Sequence, residues 1–236
     1  MIVMATLDVL SAGAAKAVVL ALGARLRDRD GLEVAGVFDA AGAIRARFVA
    51  GDPCDVVILP APMLDELAAG RRVDAAAALG DVPTGIAVAS GAPLPPVNDA
   101  GALRDALAGA SALFCPDTER STAGIHFVTM LRAMGLHERV ADRIRAYANG
   151  AQAMAALAAT TVDRDRAIGC TQVTEILYTP GVTLVAPLPR PYGLATTYSA
   201  ACNRTARNPA HARRFVASLA GPESRELRAA GGFTSD

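Results

Sequence analysis

Apolar and polar positions along the chain alternate between a period of two and a period close to 3.6, so predicted strands and helices follow one another. In the first 70 residues the pattern predicts strands over 7–10, 32–38 and 55–59, and helices over 14–27, 41–50 and 63–69. The third strand is almost continuously apolar, which is typical of a strand inside a parallel sheet. The βαβαβα order therefore predicts an α/β fold whose parallel strands are joined by right-handed crossovers.

A second series of strands and helices begins near residue 84. The expected strands are 85–89, 112–115, 167–170, 182–186 and 196–202. The expected helices are 100–108, 125–134, 140–147, 152–160, 209–219 and 223–230.

The order of these elements indicates two lobes, one of which interrupts the other. We expect residues 1–83 together with 196–236 to form lobe 1, and residues 84–195 to form the inserted lobe 2, with two strands crossing between them. Each lobe is then a mostly parallel sheet flanked by helices. Ligands of such folds bind at the carboxyl ends of strands, between the lobes, so the binding residues are expected there.

The composition excludes several classes of protein. The net charge at pH 7 is 0 and no basic stripe is present, which argues against a nucleic-acid partner. No unbroken apolar run reaches the roughly 20 residues that cross a bilayer, so no membrane span is expected. Four widely spaced cysteines, Cys54, Cys115, Cys170 and Cys202, form no metal-binding pattern and suit buried thiols. We expect no metal and no organic cofactor.

No secretory signal precedes the first predicted strand, because a basic segment, a longer apolar segment and a cleavage site are all missing. This favours a cytoplasmic protein. A periplasmic location stays open if a signal has been removed.

Lysine and arginine total 23, yet only Lys16 is a lysine. It follows the first strand in Ser11-Ala12-Gly13-Ala14-Ala15-Lys16, where a helix begins with free backbone N–H groups. Those donors and the helix dipole favour a bound anion, and the Lys16 ammonium adds a full charge. The alternative is that Lys16 is an ordinary surface residue in an arginine-biased chain.

Three further groups suit an anion. The Ser11 hydroxyl ends the first strand and either reaches the ligand or caps the helix. Arg45 either binds a carboxylate with its guanidinium fork or forms a surface ion pair. A turn at the start of the 125–134 helix, with Ser121 or Thr122 as its N-cap, offers hydroxyl and N–H donors. That turn consists of Ser121, Thr122, Ala123 and Gly124.

Polar side chains also follow the buried 167–170 strand, namely Thr171, Gln172, Thr174 and Glu175. Such a cluster at a strand end usually faces a ligand. Glu175 is a general base, a clamp for a hydroxyl, or a helix N-terminal carboxylate. His126 is a proton carrier or a structural residue. Tyr198 on the returning strand reaches the ligand or packs in the core.

The chain resembles the type 2 solute-binding proteins, and within them the molybdate-binding-protein-like group. The likeness covers nearly the whole chain and rests on the order and spacing of several short motifs. They are Leu10-Ser11-Ala12-Gly13-Ala14-Ala15, Phe38-Asp39-Ala40-Ala41-Gly42, Gly51-Asp52-Pro53-Cys54-Asp55-Val56-Val57-Ile58, Ser121-Thr122-Ala123-Gly124-Ile125-His126-Phe127, Gly169-Cys170-Thr171-Gln172-Val173-Thr174-Glu175 and Phe215-Val216-Ala217-Ser218-Leu219-Ala220-Gly221-Pro222-Glu223. The resemblance implies the two-lobed type 2 periplasmic-binding-protein fold.

The departures from this group bear on the ligand. The resemblance places Ala14 where molybdate binders have an oxyanion-binding serine, Ala40-Ala41 in place of a serine pair before Gly42, and Gln172 in place of a tyrosine. Losing those hydroxyls argues against molybdate and tungstate. The retained glycines, Gly13 and Gly42, and the helix starts still favour an anion.

Two functions follow as hypotheses. One is a binding module that closes on a small organic anion, more readily a di- or tricarboxylate than molybdate. A transporter partner is then in question because no export signal is visible, although a molybdate transporter component with its signal removed is a further alternative. The other is an isomerase, since aconitate isomerase resembles the molybdate binders. There, Lys16 and Arg45 hold carboxylates while His126 or Glu175 moves the proton. The oligomeric state is left open.

Overall fold

The computed structural model describes residues 5–161 and 163–234. The chain divides into two compact units. Unit 1 is Met1–Asp81 with Thr197–Asp236, and unit 2 is Val82–Thr196. Two strands, β4 and β9, each begin in one unit and end in the other.

Strands and helices alternate through most of the described residues. The strands are β1 Ala5–Ala12, β2 Leu32–Asp39, β3 Val56–Pro60, β4 Ala77–Ala89, β5 Ala112–Pro116, β6 Ile144–Tyr147, β7 Ala167–Gln172, β8 Val182–Pro187 and β9 Ala195–Cys202. The helices are α1 Lys16–Asp30, α2 Ala41–Ala50, α3 Ala61–Ala69, α4 Ala100–Gly109, α5 Thr122–Ala133, α6 His137–Val140, α7 Gly150–Ala159, α8 Val173–Tyr178, α9 Pro209–Ala220 and α10 Arg225–Ala230. Short 3₁₀ turns lie at Gly13–Ala15, Ala141–Arg143, Arg164–Arg166 and Pro222–Ser224.

The sheet of unit 1 has the strand order β2-β1-β3-β9. β1 is parallel to both β2 and β3, and β9 is antiparallel to β3. Val56, Val57 and Ile58 are fully buried, as their continuous apolar run predicts for an inner strand. The parallel strand–helix order predicted for the first 70 residues, and with it the α/β fold class, is confirmed.

The sheet of unit 2 has the order β8-β4-β7-β5-β6. β5 is parallel to β6 and β7, while β4 is antiparallel to β7 and β8. Alternate strand residues bury two separate apolar clusters, because successive side chains point to opposite faces of a sheet. One cluster packs against α4 and α5, and the other against α7 and α8. The inner strand β7 is buried at every position, so its two faces both carry core.

The prediction of a helix over residues 140–147 is wrong. α6 ends at Val140 and the chain then forms β6, which pairs in parallel with β5 from Leu113↔Ile144 to Pro116↔Tyr147. The apolar residues of this segment fit a helical spacing as well as a strand, and backbone hydrogen bonding to the open edge of β5 decides between them. The sequence also missed α8 and the first eight residues of β4.

No helix among residues 5–161 and 163–234 combines the length and apolar character that a bilayer crossing requires. All four cysteines are buried free thiols, as expected. Burial raises the pKa of Cys54 and of Cys115 to about 12, so both stay protonated.

The buried carboxylate of Asp55 ties the start of β3 to two other segments of unit 1. Oδ2 accepts the Asp8 N–H at 3.0 Å, and Oδ1 accepts the N–H groups of Arg207 at 2.7 Å and Asn208 at 3.2 Å. Asn208 is the N-cap residue of α9, so Asp55 fixes both β1 and the entry to the closing helix.

Replacing Asp55 by Ala should destabilise the protein by about 3 kcal/mol, because three backbone N–H groups lose their acceptor and each unsatisfied group costs roughly 1–3 kcal/mol when buried. Asp65→Ala is the matched control, since Asp65 is an exposed carboxylate on α3. Urea denaturation measures both. An Asp55→Ala midpoint equal to that of the control would contradict this role.

Candidate functional site

The first strand of unit 1 leads into a helix start that no side chain caps. After Ser11, the chain makes a 3₁₀ turn at Gly13–Ala15 and enters α1 at Lys16. The Ser11 hydroxyl is fully buried and donates to the Ala12 carbonyl at 2.9 Å, so it is not the helix cap. Ala14 is buried beside it. The donors at this helix start are therefore backbone N–H groups.

Lys16 is the first residue of α1, and its ammonium lies 5.8 Å from the centroid of the Phe38 ring. Phe38 is near the carboxyl end of β2. This cation–π contact places the charge of Lys16 beside a strand end, where the sequence predicts the site.

The next strand end of unit 1 has the same character. α2 begins at Ala41 after Ala40, and no side chain caps it. Asp39 Oδ1 accepts the Ala40 N–H at 2.8 Å, and Gly42 follows in the first turn. Arg45, one turn further, forms a solvent-accessible ion pair with Glu66 of α3 at 3.0 Å. This geometry corresponds to the surface ion pair that the sequence left open, and ligand binding by Arg45 stays a prediction.

In unit 2, α5 begins against the end of β5. Ser121 is the N-cap residue, without a side-chain capping bond, and Thr122 and Ala123 open the helix. Gly124 is essential to this packing, because a Cβ there would lie 2.2 Å from the Asp117 carbonyl oxygen and 2.5 Å from that of Pro116. Only glycine allows the first turn of α5 to lie directly on the strand end.

His126 is half-buried, and its Nε2 lies 2.8 Å from the Tyr192 carbonyl oxygen. Donation from Nε2–H to that carbonyl fixes the tautomer and attaches the loop after β8 to α5. This contact corresponds to the structural interpretation of His126, and it gives no support to a role in proton transfer.

Glu175 is 6% exposed, and its carboxylate is surrounded by donors. Oε2 accepts the Thr171 hydroxyl at 2.6 Å. The carboxylate also accepts backbone N–H groups of Gly150 and Ala151, at the start of α7, and of Gln172, the N-cap residue of α8. A Glu three residues after the N-cap that bonds back to the N-cap N–H is one half of a capping box.

These contacts bear on the three roles that the sequence left open for Glu175. Desolvation raises the pKa of the Glu175 carboxyl, and the hydrogen bonds from Thr171 and from the three N–H groups act in the opposite direction. The carboxylate oxygens are engaged within unit 2 and join β7, α7 and α8. These contacts favour the helix N-terminal role for Glu175, while proton transfer and ligand clamping stay predictions.

Gln172, at the carboxyl end of β7, is one of three residues, close in the chain or in the sheet register, that have a buried polar atom without a partner among the described residues. Gln172 Oε1 is buried without a hydrogen bond, and its Nε2 donates to Thr196 Oγ1 at a long 3.4 Å. Thr84 on β4 is directly opposite Gln172 in the sheet register, and its Oγ1 is also buried and unpartnered. The hydroxyl of Thr174, two residues beyond Gln172, is in the same state. Thr84, Gln172 and Thr174 are each at most 3% exposed.

Buried polar atoms without partners are uncommon and usually indicate a bound water, ion or ligand. Hydroxyls can donate to an anion, and the amide of Gln172 can either donate or accept. We call Thr84, Gln172, Thr174 and Thr196 the β7-end cluster. The sequence predicted Gln172 and Thr174 but missed Thr84, whose only signal was a hydroxyl in the apolar run of β4, and Thr196.

Tyr198 of unit 1 is 3% exposed and packs edge-to-face on Phe233, with 6.5 Å between the ring centroids. This is the core-packing alternative that the sequence left open. The candidate site residues of unit 1 lie at two strand ends and are Ser11, Gly13, Ala14, Lys16, Ala41 and Gly42. Those of unit 2 are Ser121–Gly124 and the β7-end cluster.

Glu175→Gln should lower the free energy of unfolding by roughly 1–3 kcal/mol, because the NH2 group of the amide cannot accept the N–H and O–H groups that surround this carboxyl. Because the folded pKa is raised, the folded state holds a proton that the unfolded chain releases near pH 4.5. The wild-type contribution is complete below that pH and is lost as the pH rises towards the folded pKa. The free energy of unfolding, measured with urea between pH 5 and 8, should therefore fall more steeply with pH for wild type than for Glu175→Gln. Equal slopes in the two proteins would contradict the raised pKa of Glu175.

Gly150→Ala tests the same contact from the other side. An added Cβ would lie 1.9 Å from Glu175 Oε2 and 2.2 Å from Thr171 Oγ1, so we expect a loss of about 1–3 kcal/mol from overpacking. Gly109→Ala in α4 is the matched control, because nothing lies within 4 Å of its added Cβ. The free energy of unfolding of the control should stay unchanged or rise by about 0.5 kcal/mol. Thermal unfolding that ranks the two variants the other way would refute the packing argument.

Comparisons with known proteins agree with this architecture. Aconitate isomerase from Pseudomonas sp. is 27% identical over 189 residues, which cover 79% of this chain and 69% of that protein. The periplasmic molybdate-binding protein of Azotobacter vinelandii has a TM-score of 0.78 at 17% identity, covering 98% of this chain and 99% of that one. The sulfate-binding protein of Mycobacterium tuberculosis has a TM-score of 0.73 at 17% identity, covering 97% and 86%.

At these identities the two solved structures show a shared fold, which is the type 2 periplasmic-binding-protein fold expected from the sequence. The model of the family described as bacterial extracellular solute-binding protein matches residues 7–234, nearly the whole chain. This chain is a member of the bacterial extracellular solute-binding protein family.

Proposed function

We propose that this protein is a binding module for a small organic anion, a di- or tricarboxylate in preference to molybdate. The observation that carries the proposal is the β7-end cluster, where three buried polar atoms of unit 2 have no hydrogen-bond partner among residues 5–161 and 163–234. A ligand that reaches these atoms would supply the hydrogen bonds that they lack.

The chemistry of the cluster favours a ligand with both acceptors and a donor. Thr84 and Thr174 hydroxyls can donate to carboxylate oxygens, and Gln172 Oε1 can accept from a hydroxyl. A hydroxycarboxylate such as citrate or malate carries both kinds of group. Molybdate at neutral pH offers acceptor oxygens only, which leaves Gln172 Oε1 without a donor.

The predicted residues of unit 1 would contribute backbone donors and one charge. The starts of α1 and α2 have no side-chain caps, whereas Asp99 and Asn149 cap α4 and α7. Uncapped helix starts suit anions through their N–H groups and dipoles. Lys16 adds a full positive charge near the end of β2. Binding by both units, with closure on the ligand, is part of the proposal.

An isomerase is the second candidate. It is favoured by the 27% identity to aconitate isomerase over 189 residues. Against it, Glu175 and His126 are engaged within unit 2, by the Thr171 hydroxyl and the Tyr192 carbonyl respectively. Proton NMR of the protein with cis- or trans-aconitate tests this directly, since interconversion of the two isomers would establish the activity, and an unchanged spectrum would exclude it.

Thermal unfolding in the presence of citrate, malate, aconitate, sulfate and molybdate tests the binding proposal. A ligand at 100 times its dissociation constant stabilises the folded state by about 2.7 kcal/mol, which corresponds to a Tm increase of roughly 5–10 °C for a chain of this size. We expect this increase with a carboxylate. An increase with molybdate alone would contradict the proposed ligand class.

The double variant Thr84→Val/Thr174→Val separates binding from folding. Replacing unpartnered hydroxyls by methyl groups of similar shape should leave the ligand-free Tm unchanged or raise it, because no hydrogen bond is lost. The ligand-induced increase should fall by more than half. Thr129→Val, which removes an exposed hydroxyl on α5, is the control and should retain the full increase. A lower ligand-free Tm with an intact ligand response would show that the hydroxyls serve the fold.

A further inference from the structure

A cavity of about 430 Å³ opens in unit 1, away from the strand ends described above. Its walls come from the end of α2, the turn after α3 and the loop that follows β9. Since β3 begins and β9 ends beside it, the cavity lies at the amino end of the parallel strands. Ser11 and Lys16 lie at the carboxyl end of β1, so this cavity is a different site.

Four arginines line the cavity, Arg71, Arg72, Arg204 and Arg207. Backbone pairing brings the two distant segments together, because Val73 and Asn203 form an antiparallel bridge and the Arg204 N–H donates to the Arg72 carbonyl at 3.1 Å. The Arg207 N–H is held by the buried Asp55 carboxylate at 2.7 Å. The positions of these arginines are thus fixed by the fold.

The positive charge of the cavity is only partly neutralised within the protein. Arg207 forms an ion pair with Asp8, and Asp52, the only acidic residue of the lining, pairs with Arg47 at 2.6 Å. Within residues 5–161 and 163–234, the guanidinium groups of Arg71 and Arg204 have no hydrogen bond or ion pair, whereas Arg72 Nη2 donates to the Val49 carbonyl at 3.4 Å. Like charges that line one cavity repel each other, and a bound anion would offset that repulsion.

Two details suggest that the arginines are positioned for a ligand. Arg71 has a φ of 55°, a left-handed conformation that a helix end normally gives to glycine, although Gly70 directly precedes it. Strain of this kind at a non-glycine residue is enriched at functional sites. The Arg72 guanidinium lies 5.5 Å from the centroid of the Phe48 ring, which restricts its orientation.

We propose that this cavity binds a small molecule that carries two or more oxyanion groups. Each guanidinium fork can hold a phosphate or carboxylate group through two parallel hydrogen bonds. Arg71, Arg72 and Arg204 form no ion pair with any acid among residues 5–161 and 163–234, so their three forks match a ligand with several charges. The volume is in the range of pockets for small molecules. The site is separate from the β7-end cluster and does not depend on it.

Isothermal titration calorimetry at low ionic strength, with pyrophosphate and with citrate as probes, tests this second site. Citrate is titrated into the Thr84→Val/Thr174→Val background, in which binding at the β7-end cluster is weakened. Binding of either probe supports the proposal, and pyrophosphate or citrate alone identifies the phosphate or carboxylate class. No binding of either probe would overturn it.

The double variant Arg71→Gln/Arg204→Gln should weaken the affinity for the probe at least tenfold. Arg25→Gln/Arg225→Gln is the matched control, because both arginines are exposed outside the cavity and the loss of charge is the same. The control should stay within twofold of wild type. Arg71→Lys/Arg204→Lys keeps the charge but removes the forks, and an intermediate loss is expected. Equal weakening in the Gln pair and the control pair would show that only net charge matters and would refute a built site.

Discussion

The hydrogen bonds around the Glu175 carboxylate hold in place the part of unit 2 that carries the candidate ligand groups. The acceptor oxygens receive the Thr171 hydroxyl on β7 and backbone N–H groups from the starts of α7 and α8. Gln172 and Thr174 belong to the same short segment, so their positions depend on this carboxylate. Gly150 makes the contact possible, because any Cβ at that residue would occupy the space of the carboxylate oxygens. A buried carboxyl group is tolerable here because its hydrogen bonds are many and well distributed.

This arrangement also explains why one helix start of unit 2 is closed to ligands while another stays available. The first N–H groups of α7 are used by Glu175, and Asn149 caps the same helix with its side chain. At α5 no side chain caps the helix, and Gly124 brings its first turn against the end of β5. A protein that binds anions through backbone donors must leave such donors unpaired by its own acids. The distribution of caps therefore carries as much functional information as the polar side chains do.

Much of the fold could be predicted from the sequence, because hydrophobic periodicity reports burial directly. The 41–50 helix was predicted to the residue, whereas the segment 140–147 was assigned to the wrong element because its partner β5 is remote in sequence. The roles of the site residues were harder to predict from the sequence. Gln172 could be predicted from its place after a buried strand, but the choice between roles for Glu175 and Arg45 depended on Gly150 and Glu66, whose proximity only the fold reveals. Sequence patterns report which face is buried, and they do not report which distant groups meet there.

The placement of the arginines illustrates the same limit and points to how this chain separates its charges. Arginine is abundant, yet the β7-end cluster contains only neutral hydroxyl and amide groups. Neutral donors can distinguish ligands by the number and direction of hydrogen bonds, whereas an arginine fork would hold almost any oxyanion. Arg71 and Arg204 are instead collected at the amino end of the unit 1 sheet by the pairing of two segments that are far apart in the chain. Selective recognition and general attraction of anions thus have different chemical requirements, and the two binding proposals place the first at the carboxyl end of β7 in unit 2 and the second at the amino end of the unit 1 sheet.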